Sequence, residues 1–137
     1  MKLTGEKIHC FSTPTPAAAD GKAFYDWVRN GEKLYDALRK HFVLCKNNEA
    51  ANANCIETFP NAIVCAWHGR VVPAKPKVPK RSAFLQAEGF DDSVLPNIDY
   101  VDAALCALAA HASLQRNTID FGNDSEGRIV IPKPRNP

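Results

Sequence analysis

Two aspartates three residues apart, Asp99 and Asp102, open the stretch Asn97-Ile-Asp-Tyr-Val-Asp-Ala-Ala-Leu-Cys-Ala-Leu-Ala-Ala-His111, which carries no further acid. A third acid, Glu57, stands in Cys55-Ile-Glu-Thr-Phe-Pro60, a segment with the look of a strand ended by proline. Carboxylate oxygens are hard ligands, and a divalent ion of the magnesium type commonly takes only one or two of them. Two such ions can clamp the attacking and leaving oxygens of a phosphodiester. Carboxylates from a strand end and a helix start could converge on a site of that kind.

The same residues have a plainer reading. Asp99 suits an N-cap, and Asp102 would then sit at N3, where a carboxylate favours the positive end of the helix dipole. The pair resembles a capping box with Asp in place of Glu. Alternation along 55–59 places Cys55, Glu57 and Phe59 on one face and Ile56 and Thr58 on the other. Glu57 can be a strand-end residue that reaches solvent or pairs with Lys or Arg.

Residues 70–81, Arg-Val-Val-Pro-Ala-Lys-Pro-Lys-Val-Pro-Lys-Arg, hold five cations, three prolines and no acid. Lys75, Lys77, Lys80 and Arg81 could contact a nucleic-acid phosphate chain. The run has no aromatic residue for base stacking, and an extended, solvated loop accounts for it equally well. An acidic segment follows, with Glu88, Asp91, Asp92, Asp99 and Asp102 and no base.

The elements that must position these residues can be sketched from pattern. Lys7 to Phe11 suggests a short strand stopped by Pro14 and Pro16. A helical pattern begins near Asp20 as N-cap, with Phe24, Trp27 and Val28 on one face and Leu34, Tyr35 and Leu38 continuing it past Gly31. That spacing predicts two short helices or one kinked helix, and its apolar stripe is core or docking surface. Phe42 to Cys45 suggests an extended piece, and residues 46–54 a polar loop. Asn61 to Trp67 predicts a helix with proline at its start. Lys80 to Glu88 predicts another, with Gly89 at C′. Tyr100 to Leu114 predicts the last helix, residues 117–126 a polar loop, Gly127 to Pro132 a final strand, and residues 133–137 a frayed tail.

At 137 residues the chain suits a single domain over residues 1–137. Apolar residues make up 45% and charged residues 23%, as in an ordinary globular protein. A net charge of +2 does not by itself imply nucleic-acid binding. No apolar run approaches a membrane span, and no membrane association is expected. The five cysteines form no CxxC pair, their number is odd, and no export signal is visible, so they are expected as reduced thiols in a cytoplasmic compartment. The four histidines show no ligand spacing.

Several segments, in order, resemble a bacterial and archaeal family of predicted nucleases with the ribonuclease H fold, the DUF 429 type. They are Phe11-Ser-Thr-Pro14, Trp27…Gly31…Leu34-Tyr35…Leu38, Ile56-Glu-Thr-Phe-Pro60, Lys80-Arg81…Leu85…Gly89, Asp99-x-x-Asp102-Ala-Ala-Leu-Cys-Ala and Glu126-Gly-Arg-Ile-Val-Ile-Pro132. The resemblance implies an α/β, ribonuclease H-like fold with a mixed sheet flanked by helices. It implies Glu57 in the fourth-strand acid position and Asp102 at the start of the last helix, with Asp99 a turn earlier as a further acid. Asp-x-x-Asp-Ala is also similar to the pattern of RuvC-type resolvases. The implied cofactor is Mg2+ or Mn2+ bound by Glu57 and Asp102, and the implied reaction is nucleic-acid phosphodiester hydrolysis.

The family's first strand, with its Asp, and the two strands after it have no counterpart here. The chain is therefore expected to match the C-terminal portion of the domain, a partial fold with its first strands missing. The Glu57 strand would have an exposed edge. Self-association, a partner chain that completes the sheet, or marginal stability would follow. Beside metal-dependent cleavage stands a reading from another class, a non-catalytic remnant or interaction module that recruits a partner by strand addition. A third is a small domain whose acids only cap and solvate.

Overall fold

The computed structural model describes residues 1–3, 5–10, 14–45, 54–123 and 127–134. Residues 11–13 of the first family-like segment, residues 46–53 of the polar loop expected over 46–54, Glu126, and the tail from 135 onward lie outside the described residues.

Leu3 and Ile8 enter the core from a small antiparallel hairpin, β1 (Lys2–Leu3) with β2 (Glu6–Lys7). The strand expected over Lys7 to Phe11 thus begins one residue earlier and ends at Lys7, and the Ile8 N–H extends the pairing to the Met1 carbonyl at 3.0 Å. A single turn, α1 (Pro16–Ala19), is capped by the Thr15 hydroxyl, so Asp20 closes this turn instead of opening a helix. A 3-10 turn at Ala23–Tyr25 then leads into α2 (Asp26–Leu38).

Gly31 does not break α2. A helical glycine costs about 1 kcal/mol, less than the helix recovers elsewhere. Two i,i+3 ion pairs, Arg29–Asp26 at 2.7 Å and Arg39–Asp36 at 3.1 Å, brace it. Arg29 also donates to the Ala19 carbonyl at 2.5 Å, which ties α2 to the turn before it. Val28, Gly31, Tyr35 and Leu38 are half-buried along one face, but none of the helix's residues is fully buried.

Two short strands follow, β3 (Val43–Leu44) parallel to β4 (Asn54–Cys55). The expected strand over Cys55 to Pro60 is only this long. Past Cys55 the chain makes one parallel bridge, Glu57 to Ile129, with the Val130 N–H donating to the Glu57 carbonyl at 2.8 Å. The ladder stops because Phe59, still extended, is already the N-cap of α3 (Pro60–His68), where Pro60 loses no helical hydrogen bond.

Ala62, Ile63, Val64, Cys65 and Ala66 are all buried, so α3 is enclosed on every side. Around it pack α4 (Lys77–Ala87), α5 (Ile98–Leu114) and the hairpin of β5 (Thr118–Asn123) with β6 (Gly127–Pro132). Helix α4 starts three residues before its expected N-terminus. First-turn N–H groups have no helical acceptor, so Pro79 is tolerated there. Its C-terminus is as expected: Gly89 sits at φ +84°, the Gly89 N–H donates to Gln86 and the Phe90 N–H to Leu85. These two bonds make a Schellman motif, for which a positive φ is required.

The expected polar loop over 117–126 is in large part a strand. Thr118 is buried, Ile119 and Phe121 pack on the core, and Asp120 pairs with Arg128 across the hairpin. The molecule is thus mixed α/β, as expected. Its described strands form three two-stranded pairs and not one continuous sheet, because β3 and β4 are two residues each and Glu57 contributes a single bridge.

Candidate functional site

Asn97, not Asp99, caps α5. Its side chain accepts from the Asp99 N–H at 2.9 Å and from the Tyr100 N–H at 3.4 Å. The helix begins at Ile98, so Asp99 is an exposed first-turn residue and Asp102 falls beyond the N3 position of a capping box. Asn is as good a cap as Asp, and two residues earlier it satisfies the orphan N–H groups of Asp99 and Tyr100. Asp102 is therefore free of capping.

Its partner comes from α4. The Arg81 guanidinium donates to Asp102 Oδ1 across the α4–α5 contact. Arg81 is only 5% exposed, and the side chain of Asp102 is 26% exposed. Arg81 lies three and four residues before Phe84 and Leu85, both buried, so the helical period carries it to the core face. A guanidinium in that position requires a counter-charge, and Asp102 supplies it. The sequence held this signal in the spacing of Arg81 to Phe84 and Leu85, hidden by the charge run around it.

The expected phosphate contacts therefore separate. Lys75 and Lys77 are exposed. Lys80 folds back, its Nζ donating to the carbonyls of Pro73 at 2.7 Å and Lys75 at 2.9 Å. Arg81 does not stand on that surface at all; it is buried against Asp102.

Glu57 lies elsewhere. Its Oε2 is 3.8 Å from where a Cβ on Gly127 would sit, at the start of β6. It lines a cavity of about 490 Å³ under α2, with Trp27, Glu32, Tyr35, Asp36 and Arg39 among the other walls. Surrounding protein displaces part of the carboxylate's water and raises its pKa above the ordinary range. Tyr35 is pushed up to about 12, first by burial and then by the charge of Glu57, with Cys55 and Cys106 adding to it. The Cys106 thiol, one turn along α5 from Asp102, is also raised, by burial first and then by Asp102, with Arg81 opposing. Glu57 thus acts on Tyr35 and Asp102 on Cys106, and Asp102 does not line the cavity. The cavity walls from α2 were not singled out as chemical residues in the sequence; their helical stripe was the visible signal.

Would these residues hold a divalent ion? Among the described residues, no group of three or more His, Cys, Asp and Glu side chains is placed to hold a metal ion. Asp102, one of the two expected ligands, already accepts from a buried cation. As arranged, the acids do not fit a preformed magnesium or manganese centre. The acids at 91 and 92 have local work: Asp91 caps the 3-10 turn Asp92–Val94, and Asp92 accepts from Gln86 at 2.8 Å. All five cysteines are free thiols. Among the described residues no helix is long and apolar enough to cross a membrane.

Fold and site define a mixed α/β domain built on an enclosed helix, with a buried Arg–Asp pair joining its last two helices. The family described as "Protein of unknown function (DUF429)" matches residues 2–126, and the chain belongs to that family. No curated protein and no solved structure matches it.

Proposed function

We propose that this chain is a ribonuclease H-like domain of the predicted-nuclease type which, by itself, does not cleave phosphodiesters. The observation that carries this reading is the Arg81–Asp102 pair. Asp102 is the acid expected to bind metal, and a buried guanidinium occupies the place where a cation would act. A divalent ion drawn onto Asp102 would compete with Arg81 for one carboxylate and set a second positive charge beside a buried guanidinium. Glu57, which lines the cavity under α2 without Asp102, supplies one carboxylate.

The family-level chemistry, nucleic-acid hydrolysis with Mg2+ or Mn2+, belongs in this reading to an arrangement in which a partner chain or further strands complete the sheet and release Asp102 from Arg81. Lys75 and Lys77 would then be the phosphate contacts. The single bridge at Glu57–Ile129 supports such a completion, since most of the Glu57 backbone segment has no ladder partner among the described residues.

The test is a cleavage assay on single- and double-stranded DNA and RNA with Mg2+ and with Mn2+, using wild type and Asp102→Asn. The expected result is no cleavage above the Asp102→Asn background. Metal-dependent cleavage by wild type that Asp102→Asn abolishes would establish the chain as a nuclease on its own and overturn the reading.

A further inference from the structure

We propose that the exposed basic proline run of one copy, residues 73–79, docks into the acidic cavity under α2 of a second copy. This goes beyond the function proposed above; the two readings share Lys75 and Lys77, and the test below separates them.

The two surfaces are complementary in charge. Three carboxylates, Glu32, Asp36 and Glu57, line the cavity against one guanidinium, Arg39. Arg39 is already paired with Asp36. Glu32 and Glu57 have no ion-pair partner among the described residues. Burial raises the Glu57 pKa, so a cation brought to it would relieve a carboxylate that protein has partly stripped of water. On the other surface, Lys75 and Lys77 are exposed and have no anionic partner among the described residues.

They are complementary in apolar character as well. Trp27 and Tyr35 form aromatic walls of the cavity. Trp27 is 56% exposed, and Val78 at the end of the run is 52% exposed. Lys80 limits the freedom of the loop before α4 by clasping the carbonyls of Pro73 and Lys75, and residues 77–79 are already held as the first turn of that helix. A ligand segment held in shape before binding gives up less entropy on docking. That clasp also anchors the run to α4, and the complementary charges of run and cavity make a second copy the occupant.

Because run and cavity are different surfaces, the contact is heterologous. It either closes reciprocally or propagates head to tail. Its charge component makes it sensitive to salt.

Sedimentation over a range of concentrations, at about 50 mM and about 500 mM salt, tests this with three proteins. One is wild type after nuclease treatment. One carries Lys75→Glu and Lys77→Glu. One carries Glu32→Lys and Asp36→Lys, leaving Glu57 untouched so that the result is separable from the nuclease question. Wild type is expected to associate, more weakly at high salt. Each double variant alone is expected to associate at least about tenfold more weakly, since like charges face each other. An equimolar mixture of the two variants is expected to associate again, which also shows that both are folded. A monomeric wild type at every concentration would overturn the proposal. So would a mixture that fails to associate, or a loss of association confined to the lysine variant together with a loss of its binding to nucleic acid, which would assign the run to a phosphate chain.

Discussion

Arg81 on α4 and Asp102 on α5 meet in a pair that is buried on the arginine side and partly open on the aspartate side. It fastens the two helices and consumes the carboxylate that the sequence pattern assigns to chemistry. Removing one partner strands the other charge in the protein, which costs about 3–5 kcal/mol for a buried pair. Asp102→Ala, which strands the buried guanidinium, is therefore expected to lower stability by about 3 kcal/mol, and Arg81→Ala, which strands the wetter carboxylate, by somewhat less. The double variant should lose much less than the sum. Chemical denaturation of the four proteins measures this coupling; additive losses would mean the pair contributes nothing specific.

The capping assignment makes a second prediction. Asn97→Ala is expected to destabilise α5 by about 1 kcal/mol. Asp99→Ala should remove only a dipole interaction, about 0.3–1 kcal/mol at low salt and less at high salt. Thermal denaturation of both variants in low and high salt checks the order. A larger, salt-insensitive loss for Asp99→Ala would restore it as the cap.

Glu57 gives a pH dependence of known sign. Its folded pKa lies above its unfolded value because burial disfavours the carboxylate. The folded state then holds the proton more tightly than the unfolded state, so stability is lost as pH rises from the ordinary glutamate pKa, about 4.3, through the raised one. Glu57→Gln removes that loss. Relative to wild type it should be close to neutral at about pH 4 and stabilising at about pH 8. Melting temperatures at both values decide; a variant less stable than wild type at the higher pH would show that the carboxylate has a favourable partner.

Tyr35 reports on the same carboxylate. Its pKa is pushed up to about 12, and burial is a larger cause than Glu57. Glu57→Gln should therefore bring the phenol down without returning it to the ordinary range of about 10. Ultraviolet titration of the phenolate, with Tyr35→Phe to identify its signal among the three tyrosines, follows this directly. An unmoved titration would separate Tyr35 from Glu57.

Much of the helical scaffold was legible. Pro60 announced the start of α3, Gly89 the end of α4, and the alanine-rich run the last helix, because each rests on local backbone chemistry. The α/β class and the strand at Gly127–Pro132 were legible for the same reason. The start of α4 was not, because prolines read as loop residues although the first helical turn accepts them. β5 was not, because Asp120, Asn117 and Asn123 mask the alternation of Thr118, Ile119 and Phe121, and its Asp120 is balanced only across the hairpin by Arg128. In the candidate site, the acids were visible but their partners were not. Arg81 and Asp102 are 21 residues apart in sequence, and only the packing of α4 on α5 brings them together.

The central claim is that Arg81, not a metal, balances Asp102 in this chain. Calorimetric titration with Mn2+ of wild type, Glu57→Gln, Asp102→Asn and Arg81→Ala tests it most directly. The account predicts no binding to wild type that depends on Asp102, whether or not Arg81→Ala gains any. Manganese binding to wild type that both Glu57→Gln and Asp102→Asn weaken would contradict it, and would place both acids in one metal site.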